Sequence, residues 1–121
     1  RGPSDTAAKD QLTLRARWYA EQIAYLAQQL AAITEGDRTV LDNTVMVWGN
    51  ELSLGNSHSH SEIPFLLLGS AGGALRTGRY LQFDAQPHNR LLVSVLQAMG
   101  IETTSFGHVD FGSGGPLPGL T

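Results

Sequence analysis

The chain has 121 residues, 41% of them apolar and 16% charged, with a formal net charge of −3; this balance suits one globular unit and excludes a disordered chain. Its eight Lys and Arg, of which Lys9 is the sole lysine, are scattered, so no basic stripe exists to neutralise phosphates and a nucleic-acid partner is excluded. Cysteine is absent, which excludes disulfides and thiolate metal sites and leaves histidine and carboxylate as the strong ligands.

Residues 1–10, "RGPSDTAAKD", are polar and carry Gly2, Pro3 and Ser4, so they read as a lead-in. They do not form a signal peptide, and no apolar run approaches the roughly 20 residues that a membrane helix needs. The chain starts at Arg1 rather than Met, and the expectation is a single domain over 1–121 or the C-terminal fragment of a larger α/β domain.

From Gln11 to Ile33 the pattern is helical, with Tyr19, Ile23, Leu26, Leu30 and Ile33 on one face that is expected to be buried. Asp10 or Thr13 would cap its start, and Gly36 in "EGD" would stop it. "TVMVWG", residues 44–49, is apolar on both faces, as a buried parallel strand is. "IPFLLLG", residues 63–69, is a second such run, with Pro64 at its start, where a lost donor is tolerated. In these runs Trp48 and Phe65 are expected in the core. "GSAGGALRTGR" is a glycine-rich turn region without phosphate-loop spacing, and "YLQF" is a further strand candidate. "NRLLVSVLQAMG" returns to helical spacing through Leu92, Val95, Leu96 and Met99, with Gly100 at the C-terminal cap. Residues 105–121 form a Gly/Pro-rich tail expected to lack regular structure. The element order predicts an α/β fold whose strands are covered by helices on at least one face.

Between the two strands, "GNELSLGNSHSHSEIP" gathers polar chemistry just past a strand end, where ligands collect in open α/β sheets. Glu51 offers oxygen, and His58 and His60 offer imidazole nitrogen, a set suited to zinc, iron, copper or nickel. In an extended H-x-H both rings would point the same way and could meet one ion. A further ligand would come from Asn50, Asn56, His88, His108 or other polypeptide. Two alternatives stand beside this one: the histidines serve as acid or base, or the segment is a solvated loop whose Asn and Ser side chains satisfy their own backbone. Ser53, Ser57, Ser59 and Ser61 lie in no G-x-S-x-G elbow, so none reads as a hydrolase nucleophile. His88, in "PHNR", reads as part of a helix start rather than as a ligand, and His108 and Asp110 read as surface residues of the tail.

Over roughly residues 10–120 the order of "DNTVMVWGNE", "HSHSEIPFLLLG", "GRYL" and "HNRLLVSVLQAMGI" resembles a bacterial family of exported proteins of unknown function. It is similar, beyond that, to the C-terminal part of the alkaline phosphatase and sulfatase superfamily. The resemblance implies the C-terminal part of a three-layer sandwich with a mainly parallel sheet and flanking helices. It implies a metal-dependent hydrolase of phosphate or sulfate esters, a divalent metal (zinc or another transition metal) and an exported, periplasmic or extracellular location. Glu51 stands at the place of the family's acidic ligand and His58 or His60 at that of its late histidine. Leu52 stands where a second ligand, His or Asn, is usual. The nucleophile, and with it the catalytic residues, would belong to an N-terminal portion. The alternative expectation is a binding or structural module that keeps the scaffold without hydrolysis. The expected partners are an N-terminal remainder of the same protein or a second copy, together with a small-molecule ester.

Overall fold

The structure is a computed structural model, and it describes residues 5–121. Helix α1 runs Thr6–Ala31, beginning five residues before the periodic stretch because Asp5 accepts a hydrogen bond from the Ala8 N–H at 3.0 Å, which satisfies one orphan donor of the first turn. Of the lead-in expected over 1–10, residues 6–10 are therefore helical, and residues 1–4 lie outside the described residues. The helix stops at Ala31, before Gly36, whose φ of 66° instead turns a small hairpin of β1 (Thr34–Glu35) and β2 (Arg38–Thr39).

A single helical turn, α2 (Val40–Asn43), follows directly. Its start is a reciprocal capping box: the Asp42 N–H donates to the Thr39 hydroxyl at 3.2 Å and the Thr39 N–H donates to the Asp42 carboxylate at 2.9 Å. From there the chain enters β3 (Met46–Gly49), crosses a connection over residues 50–64, and returns as β4 (Phe65–Leu68). The two strands pair antiparallel, with Met46 opposite Leu68 and Gly49 opposite Phe65.

This pairing corrects the expected parallel, three-layer sandwich. The described residues form two two-stranded antiparallel sheets, β1–β2 and β3–β4, with helices beside them. A parallel pair needs a crossover, usually helical, to bring the chain back to the same end. Residues 50–64 hold only a turn closed by a Leu54–Ser59 bridge, so the chain doubles back. Apolar residues on both faces, the pattern that pointed to a parallel strand, fit this hairpin equally well. "YLQF" forms no strand; Tyr80 there is 86% exposed.

Helix α3 (Asn89–Ala98) lies over one face of the hairpin and ends, as its sequence indicates, before Gly100 at φ 82°. The core is small: Leu75, Leu91 and Leu120 are buried together, with Val45, Phe65, Leu67 and Leu117 packed on them. Phe65 thus reaches the core as expected, whereas Trp48 is half-buried and stands outside that cluster. The reason is alternation: Val45, Gly49, Phe65 and Leu67 share the face toward α3, and Trp48 points to the opposite one.

The tail is more regular than its composition suggests. It contains a one-turn helix α4 (Val109–Gly112) and a Ser105–Ser113 bridge, and its end is tied back to the core. The Leu117 N–H donates to Ser94 Oγ at 2.8 Å and to the Arg90 carbonyl at 3.1 Å. The Arg76 N–H donates to the Leu120 carbonyl at 2.8 Å, and the Arg90 guanidinium donates to the Pro116 carbonyl at 3.0 Å.

Helix α1 departs most from its expectation. Tyr19, Leu26 and Ile33 are exposed, Ile23 and Leu30 are half-buried, and Ala27 is the one buried residue of the helix. The helix contacts α2, and its apolar stripe is only partly covered by the described residues. No helix among them is long and apolar enough to cross a membrane.

Candidate functional site

The segment between β3 and β4 folds on itself through its serines. The Ser53 N–H donates to the Ser59 carbonyl at 2.9 Å and the Ser59 N–H donates to the Leu54 carbonyl at 3.2 Å, closing a turn over residues 55–58. The Ser53 hydroxyl donates to the same Ser59 carbonyl at 3.3 Å, and the Ser61 N–H donates to Ser59 Oγ at 3.3 Å. Ser, Asn and Gly thus serve the backbone, the role such residues take in turns. Asn50 does likewise, its side chain accepting from the Glu51 N–H at 3.1 Å.

Glu51, His58 and His60 are carried on this one loop, and all three are exposed. His58 occupies the left-handed region at φ 52°, a conformation that histidine enters more readily than most residues but still at a cost of roughly 1 kcal/mol. The segment is therefore not the extended H-x-H that would send both rings to one side, and period-two alternation does not set their directions. Among the described residues, no group of three or more His, Asp or Glu comes close enough to hold a metal ion. No hydrogen bond or ion pair among them engages the side chains of Glu51, His58 or His60. Leu52 is half-buried and brings no donor atom.

The other histidines have structural partners. His88 occupies the position before the first turn of α3 without a side-chain capping bond; its ring stacks on Phe65 with centroids 5.9 Å apart and planes at 29°. His108 Nδ1 accepts from the Asp110 N–H at 3.3 Å and lies 3.5 Å from the Asp110 carboxylate. The first contact needs an Nδ1 that carries no hydrogen, since the nitrogen is the acceptor there. Both residues are exposed, as the tail reading expects.

Outside this loop, two open clefts mark the surface. One, of about 700 Å³, lies beyond the C-terminal end of α3 and is lined by Gln97, Ile101, Glu102 and Thr104. The other, of about 440 Å³, runs along α1 beside Gln11, Leu14, Arg15, Trp18 and Tyr19. The second lies among further exposed apolar residues, of which Tyr19, Leu26 and Ile33 were expected on a buried face. Leu12, Leu14, Trp18, Tyr19, Tyr25, Leu26 and Ile33 are each 48–63% exposed. Trp18 meets Tyr19 edge to face, with ring centroids 5.1 Å apart and planes at 74°. Trp18 and Tyr25, both more than half exposed, flank the stripe expected from periodicity.

No protein family, curated protein or solved structure matches this chain.

Proposed function

We propose that the chain is a binding or structural module that works through the apolar face of α1. The single observation that carries this reading is the exposure of six large apolar side chains, Leu12, Leu14, Trp18, Tyr19, Tyr25 and Leu26, along one helix. An isolated exposed leucine needs no explanation, but six such side chains on one helix, Trp and Tyr among them, have the composition of a contact surface. Such a face is stable in water when another polypeptide covers it. The test is dye binding by the dilute chain with 8-anilinonaphthalene-1-sulfonate. The fluorescence is expected to rise on binding and to fall severalfold in a Trp18→Glu, Tyr25→Glu double variant. A chain that leaves the dye dark would overturn the proposal.

A second reading, a metal-dependent hydrolase of phosphate or sulfate esters, is favoured by one observation: Glu51, His58 and His60 share a loop in which their side chains are not engaged by other described residues. There Glu51 and the two imidazoles would be the ligands, and the metal would stabilise developing negative charge on the ester. Titration with zinc, followed calorimetrically in the parent chain and in Glu51→Ala and His60→Ala variants, is expected to show one site lost in each variant. Zinc uptake that both variants retain would remove this reading, and so would its absence in the parent.

A further inference from the structure

The chain carries four asparagines, Asn43, Asn50, Asn56 and Asn89, and three of them are held. The Asn43 amide donates to the Glu35 carboxylate at 2.7 Å, and the N–H that follows it, on Thr44, donates to the Leu41 carbonyl at 3.1 Å. The Asn89 amide donates to the Phe106 carbonyl at 2.8 Å, and the Arg90 N–H donates to the Pro87 carbonyl at 3.1 Å. Asn50 accepts from the Glu51 N–H at 3.1 Å, which engages its side-chain oxygen and the next backbone nitrogen together.

Asn56 differs from all three. It is exposed, within the turn over residues 55–58 and outside any helix or strand. Among the described residues no hydrogen bond engages its side chain or the Ser57 N–H; Ser57 is tied through its hydroxyl alone, which donates to the Leu54 carbonyl at 3.5 Å. The surroundings are open as well, since a Cβ added at the neighbouring Gly55 would meet nothing within 4 Å. A backbone nitrogen without a hydrogen-bond acceptor can turn back on the side-chain amide of the residue before it, where a five-membered ring closes. Serine is a small neighbour that leaves this approach uncrowded. We propose that Asn56 is a site of spontaneous covalent modification, deamidated through a succinimide formed with the Ser57 backbone nitrogen.

The attack is intramolecular, so proximity supplies the advantage that an enzyme would otherwise provide. Hydroxide takes the Ser57 amide proton, and the nitrogen forms a bond to Asn56 Cγ. The Cγ–Nδ2 bond then breaks, and Nδ2 leaves as ammonia with a proton from water. Water opens the ring at either carbonyl: attack at Cγ gives aspartate, and attack at the main-chain carbon gives isoaspartate. The net reaction consumes one water and releases one ammonia. Either product adds a negative charge to the loop that carries Glu51 and Glu62. Isoaspartate also lengthens the backbone of the turn that the Leu54–Ser59 bridge closes, so modification loosens the turn as well as charging it.

The test incubates the parent chain in mildly alkaline buffer and maps it by tandem mass spectrometry, with the two acid products separated by chromatography. Deamidation at Asn56 is expected to run roughly tenfold faster than at Asn43, Asn50 or Asn89, and to give both aspartate and isoaspartate. Asn56→Gln, whose longer side chain closes a six-membered ring less readily, is expected to remove the signal from that turn. In the urea-unfolded chain the rates at Asn43 and Asn89 are expected to rise, since their hydrogen bonds are lost, while that at Asn56 changes little. Aspartate as the sole product would overturn attack by the Ser57 nitrogen. An Asn56 rate no faster than the other three, or one that rises in urea as steeply as theirs, would overturn the proposal that the fold leaves this asparagine open to ring closure.

Discussion

Gly49 lies directly beneath the ring of its cross-strand partner Phe65, so close that a Cβ added at Gly49 would enter the ring at Cδ1 and Cε1. The ring also stacks on His88 at the start of α3 and packs on the core leucines, so it cannot swing away without leaving both. Gly49→Ala is therefore expected to destabilise the fold by about 1–3 kcal/mol, the range for overpacking a filled site. Equilibrium denaturation in urea measures this. A midpoint unchanged from the parent would show that the ring moves freely.

Gly69, which follows β4 at the open end of the same hairpin, is under a stricter constraint. Its φ is 81°, and a Cβ there would meet the backbone carbonyl oxygens of Thr44 and Leu41. Backbone cannot yield as a side-chain tip does, and the left-handed conformation itself disfavours any residue with a Cβ. Gly69→Ala is expected to cost at least ~2 kcal/mol from strain and overpacking together. The loss should appear in the same urea titration as a larger midpoint shift than that of Gly49→Ala. The reverse ranking would contradict the assigned contacts.

Legibility in the sequence divided along one line. Where local chemistry determines structure, the elements were readable: the α1 periodicity, the apolar runs that became β3 and β4, and α3 with Gly100 at its end all formed. Where the outcome depends on what lies across the space, they were not. Val45, Val47 and Leu67 carry no record of strand direction; that was set by residues 50–64 folding through Ser53 and Ser59 rather than forming a crossover. Periodicity in α1 marks a face that requires cover and does not specify the cover, which is why Tyr19 and Leu26 are exposed against expectation. An H-x-H sends both rings to one side only in extended backbone, and His58 has a positive φ. Glu51, His58 and His60 were correctly placed together on the loop between the strands, but spacing alone could not set their mutual geometry.

Ser94 ties the tail to α3. It is 5% exposed; its hydroxyl accepts from the Leu117 N–H at 2.8 Å and donates to the Arg90 carbonyl at 3.1 Å. Ser94→Ala removes a buried acceptor and leaves the Leu117 N–H with the Arg90 carbonyl alone. The expected cost is about 1–2 kcal/mol. Because Leu120 belongs to the core cluster, the loosening should extend to it. Amide hydrogen exchange at Leu117 should accelerate more than at Val93, which is fully buried within α3. Uniform acceleration across the chain would mean that Ser94 supports the whole fold rather than the tail.

Asp42 gives the protein a sensitivity to acid. The Thr39 backbone N–H holds its carboxyl below the usual carboxylate range, the Thr39 hydroxyl adds to this, burial opposes it, and the nearby Arg38 charge lowers it further. A carboxyl whose pKa is lower in the folded than in the unfolded chain binds protons more weakly when folded, so acid favours unfolding. Its contribution is fully present above the unfolded value, 3.8, and is lost as pH falls through the lower folded value. The capping box should therefore open in that acid range. Asp42 also accepts the Ser70 hydroxyl at its backbone carbonyl, at 2.7 Å, so opening of α2 should reach the turn after β4. In a nuclear magnetic resonance titration, the Thr39 and Ser70 amide shifts should follow the Asp42 carboxyl through one transition below its ordinary value. Asp42→Asn should abolish that transition and leave stability flatter across the acid range. A Thr39 amide that still titrates in Asp42→Asn would assign the acid response to another carboxyl.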